Sequence, residues 1–182
     1  MKKLLFPLIT LIPLALLLGI TASCRKQVKG AITEEEARGI IEEFVKFRNE
    51  GDLASADRVM HPECVIRYPN LPQEIVGLDA YKEYDRMTRV AFPDFKMTIT
   101  DFFVKDDKIV SYWTVDSTNS GPLMTPAGEL PPTNRKVHLS GIAVSRIVEG
   151  KIKEDAGYFN MLDMMQQLGF TLCPPQPPEE IK

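Results

Sequence analysis

From Phe95 to Tyr158 the chain is almost continuous β-type sequence, interrupted only where turn residues cluster. Phe95 to Lys105, Lys108 to Asn119 and Val137 to Glu149 are rich in β-branched and aromatic residues, and Lys151 to Tyr158 follows directly. Asp106-Asp107 and Glu149-Gly150 are the turns between neighbours. Connections that short join antiparallel strands, because a parallel crossover needs about a dozen residues or more. The helical patterns lie mostly ahead of this block. Thr33-Glu34-Glu35-Glu36 is a capping box, and Ala37, Ile40, Ile41, Phe44 and Val45 then fall on one helix face until Gly51-Asp52. A second, shorter helix is predicted from Leu53 to Met60, ended by His61-Pro62. Cys64 to Tyr68 reads as a strand that stops at Pro69, and Gly77 to Ala91 as a third helix broken by Pro93. A last helical turn or two from Phe159 or Asn160 to Leu168 closes at Gly169. Helices followed by a run of strands predict an α+β fold, with one curved antiparallel sheet wrapped around the long first helix.

The ends of the chain obey different rules. Lys2 and Lys3 precede an apolar run from Leu4 to Ile20, which ends in Thr21-Ala22-Ser23-Cys24. A charged start, a short apolar stretch and small residues before a cleavage point are the parts of a secretory signal. The segment resembles a bacterial lipoprotein signal. That resemblance implies cleavage after Ser23 and a lipid on the Cys24 thiol. Arg25, where retention at the inner membrane is associated with Asp, implies the outer membrane of the cell envelope if the organism is Gram-negative. Residues 24–32 then form a short basic tether, suited to an anionic lipid surface. The folded unit spans 33–170, and 171–182 is a Pro-rich tail that cannot pack a core.

Composition narrows the function. The formal net charge is −3, and removal of Lys2 and Lys3 with the signal makes the remainder more acidic still. With no basic stripe, nucleic acid is not an expected partner. There is no C-x-x-C and no histidine cluster, so a zinc or iron–sulfur site is not expected. Cys64 and Cys173 could pair in an oxidising envelope, but Cys64 sits in a strand-like run and Cys173 in the tail, which favours two unpaired thiols.

Several short segments, taken in order, resemble the SnoaL-like polyketide cyclase and ester cyclase group of the NTF2-like superfamily. They are Asn49-Glu50-Gly51-Asp52 with His61-Pro62, Ala91-Phe92-Pro93-Asp94, Pro131-Pro132-Thr133, Glu149-Gly150-Lys151-Ile152-Lys153-Glu154 and Gln166-Gln167-Leu168-Gly169. The resemblance implies a cone-shaped α+β barrel, dimeric, with a ligand pocket between sheet and helices. It also implies cyclase chemistry without metal or organic cofactor, using an acidic residue near the end of the last strand. The family's closing "I-x-E-x-W-x-x-x-D" appears here as Ile152, Glu154, Ala156 and Asn160, and the His of its "G-T-H-x-G" as Asn119. Both titratable groups of the usual site have become amides.

Strict alternation puts Ile152, Glu154, Ala156, Tyr158 and Asn160 on one strand face, taken as the pocket face, and Asp155 on the other. The expected ligand-binding set is Tyr68, Tyr112, Asn119, Ala156, Tyr158 and Asn160. The candidates for catalysis are Glu154, Asp116 and His138, each weighed against an ordinary ion pair or a structural role. Three functions remain open at this point. One is a lipid-anchored homodimer that binds a small, apolar, oxygenated molecule. Another is an active cyclase, isomerase or hydrolase using a displaced carboxylate. The third is an interaction module that assembles through its sheet face. The loop from Gly121 to Leu130 is expected to cover the mouth of the cone.

Overall fold

The computed structural model describes residues 30–125, 128–171 and 173. The signal segment, Cys24 and residues 174–182 of the Pro-rich tail lie outside the described residues. Helix α1 (Glu34–Glu50) starts at the predicted capping box: Glu36 N–H donates to Thr33 Oγ1, and Thr33 N–H donates to the Glu36 carboxylate at 2.7 Å. It ends at Gly51, whose left-handed φ of 74° lets its N–H reach Phe47 O. Helix α2 (Ala56–Val59) is shorter than predicted, because strand β1 (Met60–Arg67) already begins at Met60. Pro62 is tolerated in β1 because it falls where the ladder to the neighbouring strand is interrupted, between Met60 and Val65, so its missing N–H breaks no pairing. Strand β2 (Ile75–Val76) is followed by α3 (Leu78–Ala91). Then come β3 (Lys96–Lys105), β4 (Lys108–Thr118), the small hairpin β5 (Leu123–Thr125) and β6 (Gly128–Leu130), β7 (Lys136–Val148), β8 (Lys151–Phe159) and α4 (Met161–Gln167).

The main sheet has the order β2-β1-β8-β7-β4-β3. Every neighbouring pair is antiparallel except β1 and β8, which run parallel. The sheet is therefore mixed, not antiparallel throughout, and it stays open, with β2 and β3 as its edges. Parallel pairing becomes possible because β1 belongs to the helical half of the chain and the crossover back to β8 is long. The helices cover the concave face. One core cluster joins Ala37 and Phe47 of α1, Leu78 and Tyr81 of α3, and Cys64, Ile66, Ile109, Ile147 and Ile152 of the sheet. A second joins Ala91 and Phe92 to Val137, Met164 and Leu168, so α4 closes the far end. Cys64 is a buried free thiol and Cys173 an exposed one. Among the described residues no helix is long and apolar enough to cross a membrane.

Candidate functional site

A cavity of about 370 Å³ lies between the sheet and helices α1 and α3, bridging the two core clusters. Its walls are mostly apolar: Ile40, Ile41 and Phe44 of α1, Met87 of α3, and Trp113, Leu139 and Phe159 of the sheet. Trp113 and Phe159 meet edge to face, with centroids 6.0 Å apart. Leu123, Met124 and Thr125, from the loop expected at the mouth, also line it and pair with residues 128–130 as a small hairpin.

The acidic group inside is Asp155. It is 5% exposed and lines the cavity. One carboxylate oxygen accepts from Ser145 Oγ at 2.6 Å, and the other from the Tyr68 hydroxyl at 3.1 Å. Burial pushes this carboxyl above its ordinary range, against the two hydrogen bonds and the field of Arg48, which pull it down. Tyr68 reaches it because the facing position on β8 is Gly157: a Cβ there would sit 2.9 Å from the Tyr68 ring. Tyr68 packs on Tyr84, with centroids 5.6 Å apart, and burial drives its own hydroxyl pKa well up, so it stays a donor.

A β-bulge accounts for this arrangement. Arg146 pairs with Glu154, but the next residue, Ile147, pairs with Ile152, so Lys153 is supernumerary. One extra residue moves everything beyond it to the other face. Ile152 points in, and after the bulge Asp155, Gly157 and Phe159 point in as well. The alternation predicted for this strand is thereby reversed from Glu154 onward. Glu154 lies outside the cavity, paired with Arg146 and, at 3.5 Å, with Arg67; the Arg146 bond holds its carboxyl below the ordinary range. Ala156 and Tyr158 are likewise on the outer face, Tyr158 well exposed. Asn160 caps α4, accepting from Asp163 N–H at 3.0 Å.

The other expected site residues also lie away from the cavity, except Tyr68. On β4 the inward set is Ile109, Ser111, Trp113, Val115 and Ser117, which leaves Tyr112 and Asp116 outside. Asp116 faces His138 across the strand pair, 2.7 Å away, with both side chains exposed. Asn119 is buried but fully engaged: its amide donates to Ala91 O and Gly121 O and accepts from Thr133 N–H and Oγ1. It clamps the strand end to α3 and to the turn at Asn134, whose φ is 55°.

Two features were readable yet missed. Ile152 and Phe159 are both large and apolar, but seven positions apart, an odd number that unbroken alternation cannot place on one face. Arg48 continues the apolar stripe of Phe44 by one helical turn, which marks a charged residue on the buried side. Arg48 is indeed buried and lines the cavity. Its Nη1 donates to Asp85, itself buried on α3, and its guanidinium lies 4.6 Å over the Phe95 ring. Among the described residues no group of three or more His, Cys, Asp or Glu stands close enough to hold a metal ion.

The family model of the SnoaL-like polyketide cyclases matches residues 38–168. The chain belongs to this family. Among solved structures, this SnoaL-like protein is similar to TsrD from Streptomyces laurentii, at 25% identity and a TM-score of 0.66, over 76% of this chain and 98% of that one. IdmH from Streptomyces antibioticus matches at 24% identity and a TM-score of 0.62, over 73% and 98%. An NTF2-like protein from Burkholderia pseudomallei shares the fold at 16% identity and a TM-score of 0.60, over 74% and 98%. No curated protein matches the sequence. A SnoaL-like domain of this NTF2-like fold is of a kind that typically binds small molecules.

Proposed function

We propose that this SnoaL-like protein binds a small, apolar, oxygenated molecule in its cavity and that Asp155 exchanges protons with it as general acid or base. The reaction would be of the cyclase, isomerase or hydrolase type and would need no cofactor. One observation carries the reading: a buried carboxyl, biased toward its neutral form, held by Tyr68 and Ser145 inside an otherwise apolar chamber. Desolvation brings such a group toward the pH at which it can both give and take a proton. The amides at Asn119 and Asn160 no longer argue for a bare binder, because neither lines the cavity. Deuterium uptake from D2O into the α-carbon of 2-undecanone tests the proposal. The parent should catalyse it, and Asp155→Asn should slow it by about 10²–10⁴-fold. Uptake that is equal in both proteins, or absent in both, would leave only the binding half standing.

The proposal extends to place and assembly. The apolar run ending at Cys24 supports anchoring through a lipid on that thiol, and Arg25 after it favours the outer membrane if the organism is Gram-negative. A Cys24→Ala variant should be released from membranes or remain unprocessed. Fractionation and migration identical to the parent would refute it. The outer sheet face supports a homodimer. Tyr112, Ile142 and Tyr158 lie in register across three strands, with Val144 and Phe103 beside them, all exposed.

A further inference from the structure

Arg48 has more donors than the fold satisfies. A guanidinium stays protonated in any protein setting and presents five N–H groups in a rigid plane. Among the described residues its one hydrogen-bond acceptor is Asp85, reached through Nη1. The guanidinium carbon lies over the Phe95 ring, 4.6 Å from its centroid. Nε and Nη2 are left as the side edge of the fork, spaced to meet the two oxygens of a carboxylate. This edge belongs to a side chain 6% exposed that lines the cavity, where water competes little.

Nor is the charge balanced. Asp85 also accepts from Arg89 Nε at 2.7 Å, so one carboxylate serves two cations. Arg89 in turn donates to Phe47 O and Arg48 O, the last carbonyls of α1, where the helix dipole offsets part of its charge. Among the described residues no carboxylate besides Asp85 stands within ion-pair distance of Arg48. Asp155, the acid that lines the cavity, feels the field of Arg48 but spends its hydrogen bonds on Tyr68 and Ser145, not on the guanidinium. A buried cation that shares its one close carboxylate with a second cation is incompletely compensated, and a bound anion relieves that cost.

We infer that the natural ligand is an apolar monocarboxylic acid whose carboxylate seats on the free edge of Arg48 while its hydrocarbon body lies against Phe44, Trp113 and Phe159. This inference rests on the cavity being the ligand site, and it adds the chemical class. It also separates two roles within the chamber: Arg48 fixes the acid group, and Asp155 faces the rest of the molecule.

The test compares 4-butylbenzoate with 4-butylbenzamide, a neutral molecule of the same shape, by calorimetric titration of the full-length protein at neutral pH. The acid should bind about tenfold tighter or more, the value of a hydrogen bond to a charged partner. In Arg48→Met that preference should vanish while amide affinity stays within about threefold of the parent. Equal affinities in the parent, or tighter binding of the amide, would overturn the inference and leave the cavity reading intact. Binding of neither molecule would overturn both. If Arg48→Met does not fold, a crystal structure of the parent with 4-butylbenzoate decides. The carboxylate should lie within hydrogen-bond distance of Nε and Nη2 of Arg48, and a carboxylate seated anywhere else refutes the inference.

Discussion

At the scale of single residues, two aspartates of this chain are opposites. Asp94 is exposed and accepts from Ser117 Oγ, Thr118 N–H and Thr118 Oγ1, all within 2.7 Å, which holds its carboxyl at about 2. Its contribution to stability is present above the ordinary value of 3.8 and is lost as pH falls toward 2. Asp155 is buried, and its carboxyl is raised above that same 3.8. The folded state therefore binds this proton more tightly than the unfolded chain. What Asp155 contributes is present in full below 3.8 and is lost as pH rises through the folded value. Asn at this position does not titrate. The melting temperature of Asp155→Asn, measured relative to the parent, should therefore climb as pH is raised from about 4 and level off above the folded pKa. A constant difference across that range would mean that Asp155 is not destabilised by its site. A gain in stability on losing the acidic group is what a residue kept for chemistry produces.

At the scale of elements, helix starts and strand spans were legible because their signals are local. Thr33 and Glu36 announce α1, Pro93 marks the end of α3, and Glu149-Gly150 with its φ of 53° and 73° makes the last hairpin. The facing of β8 was not legible by alternation, since a single supernumerary Lys153 inverts it. The bulge depends on how β7 and β8 settle against each other, and within β8 itself the odd spacing of Ile152 and Phe159 is the one local sign of it. The Arg48–Asp85 pair was hidden for a similar reason: it joins two helices 37 positions apart. Asn119 was readable as a departure from the family pattern but not as a clamp, because its four partners come from three separate segments. That clamp has a testable consequence for the hairpin over the cavity. Gly121 leads into β5 and donates to Ala91 O at 3.3 Å, and a Cβ on it would stand 1.9 Å from Val90 O. Backbone cannot yield as a side chain does, so Gly121→Ala must push the hairpin off the end of α3. We expect a loss of about 1–3 kcal/mol in stability and faster amide hydrogen exchange at Leu123 to Thr125. Unchanged exchange there would show that the hairpin is not anchored through Gly121.

At the scale of the whole molecule, the sheet divides labour between its faces. The concave face, with Trp113, Asp155 and Phe159, builds the chamber. The convex face carries an apolar centre between two charged margins. Along β7 the outward residues run His138, Ile142, Val144, Arg146, and along β4 they run Asp116, Tyr112, Val110. Asp116 with His138 forms one margin, and Arg146 with Glu154 the other. An apolar patch rimmed by polar pairs is the anatomy of a protein interface, and a sheet face matched to itself favours a two-fold dimer. Ala156 stands in register with Val144, so enlarging Ala156 alters this face and leaves the chamber alone, contrary to the placement its alternation suggested. The chain entering α1 is tied to the β3–β4 turn through Ile32 N–H and Asp106 O at 2.9 Å, which sets the start of the folded unit. A chain spanning residues 32–172 should therefore melt cooperatively and elute as a dimer at micromolar concentration. Val144→Arg places a charge at the centre of the patch, 36% exposed in the monomer. Burying that charge without a partner costs several kcal/mol per ion, enough to split a dimer of ordinary affinity. Light scattering should give a monomer for Val144→Arg, with the melting temperature kept close to the parent's and the 4-butylbenzamide affinity unchanged. A Val144→Arg protein that stays dimeric would place the interface elsewhere. A parent that is already monomeric would mean that the convex face serves no second copy of this chain.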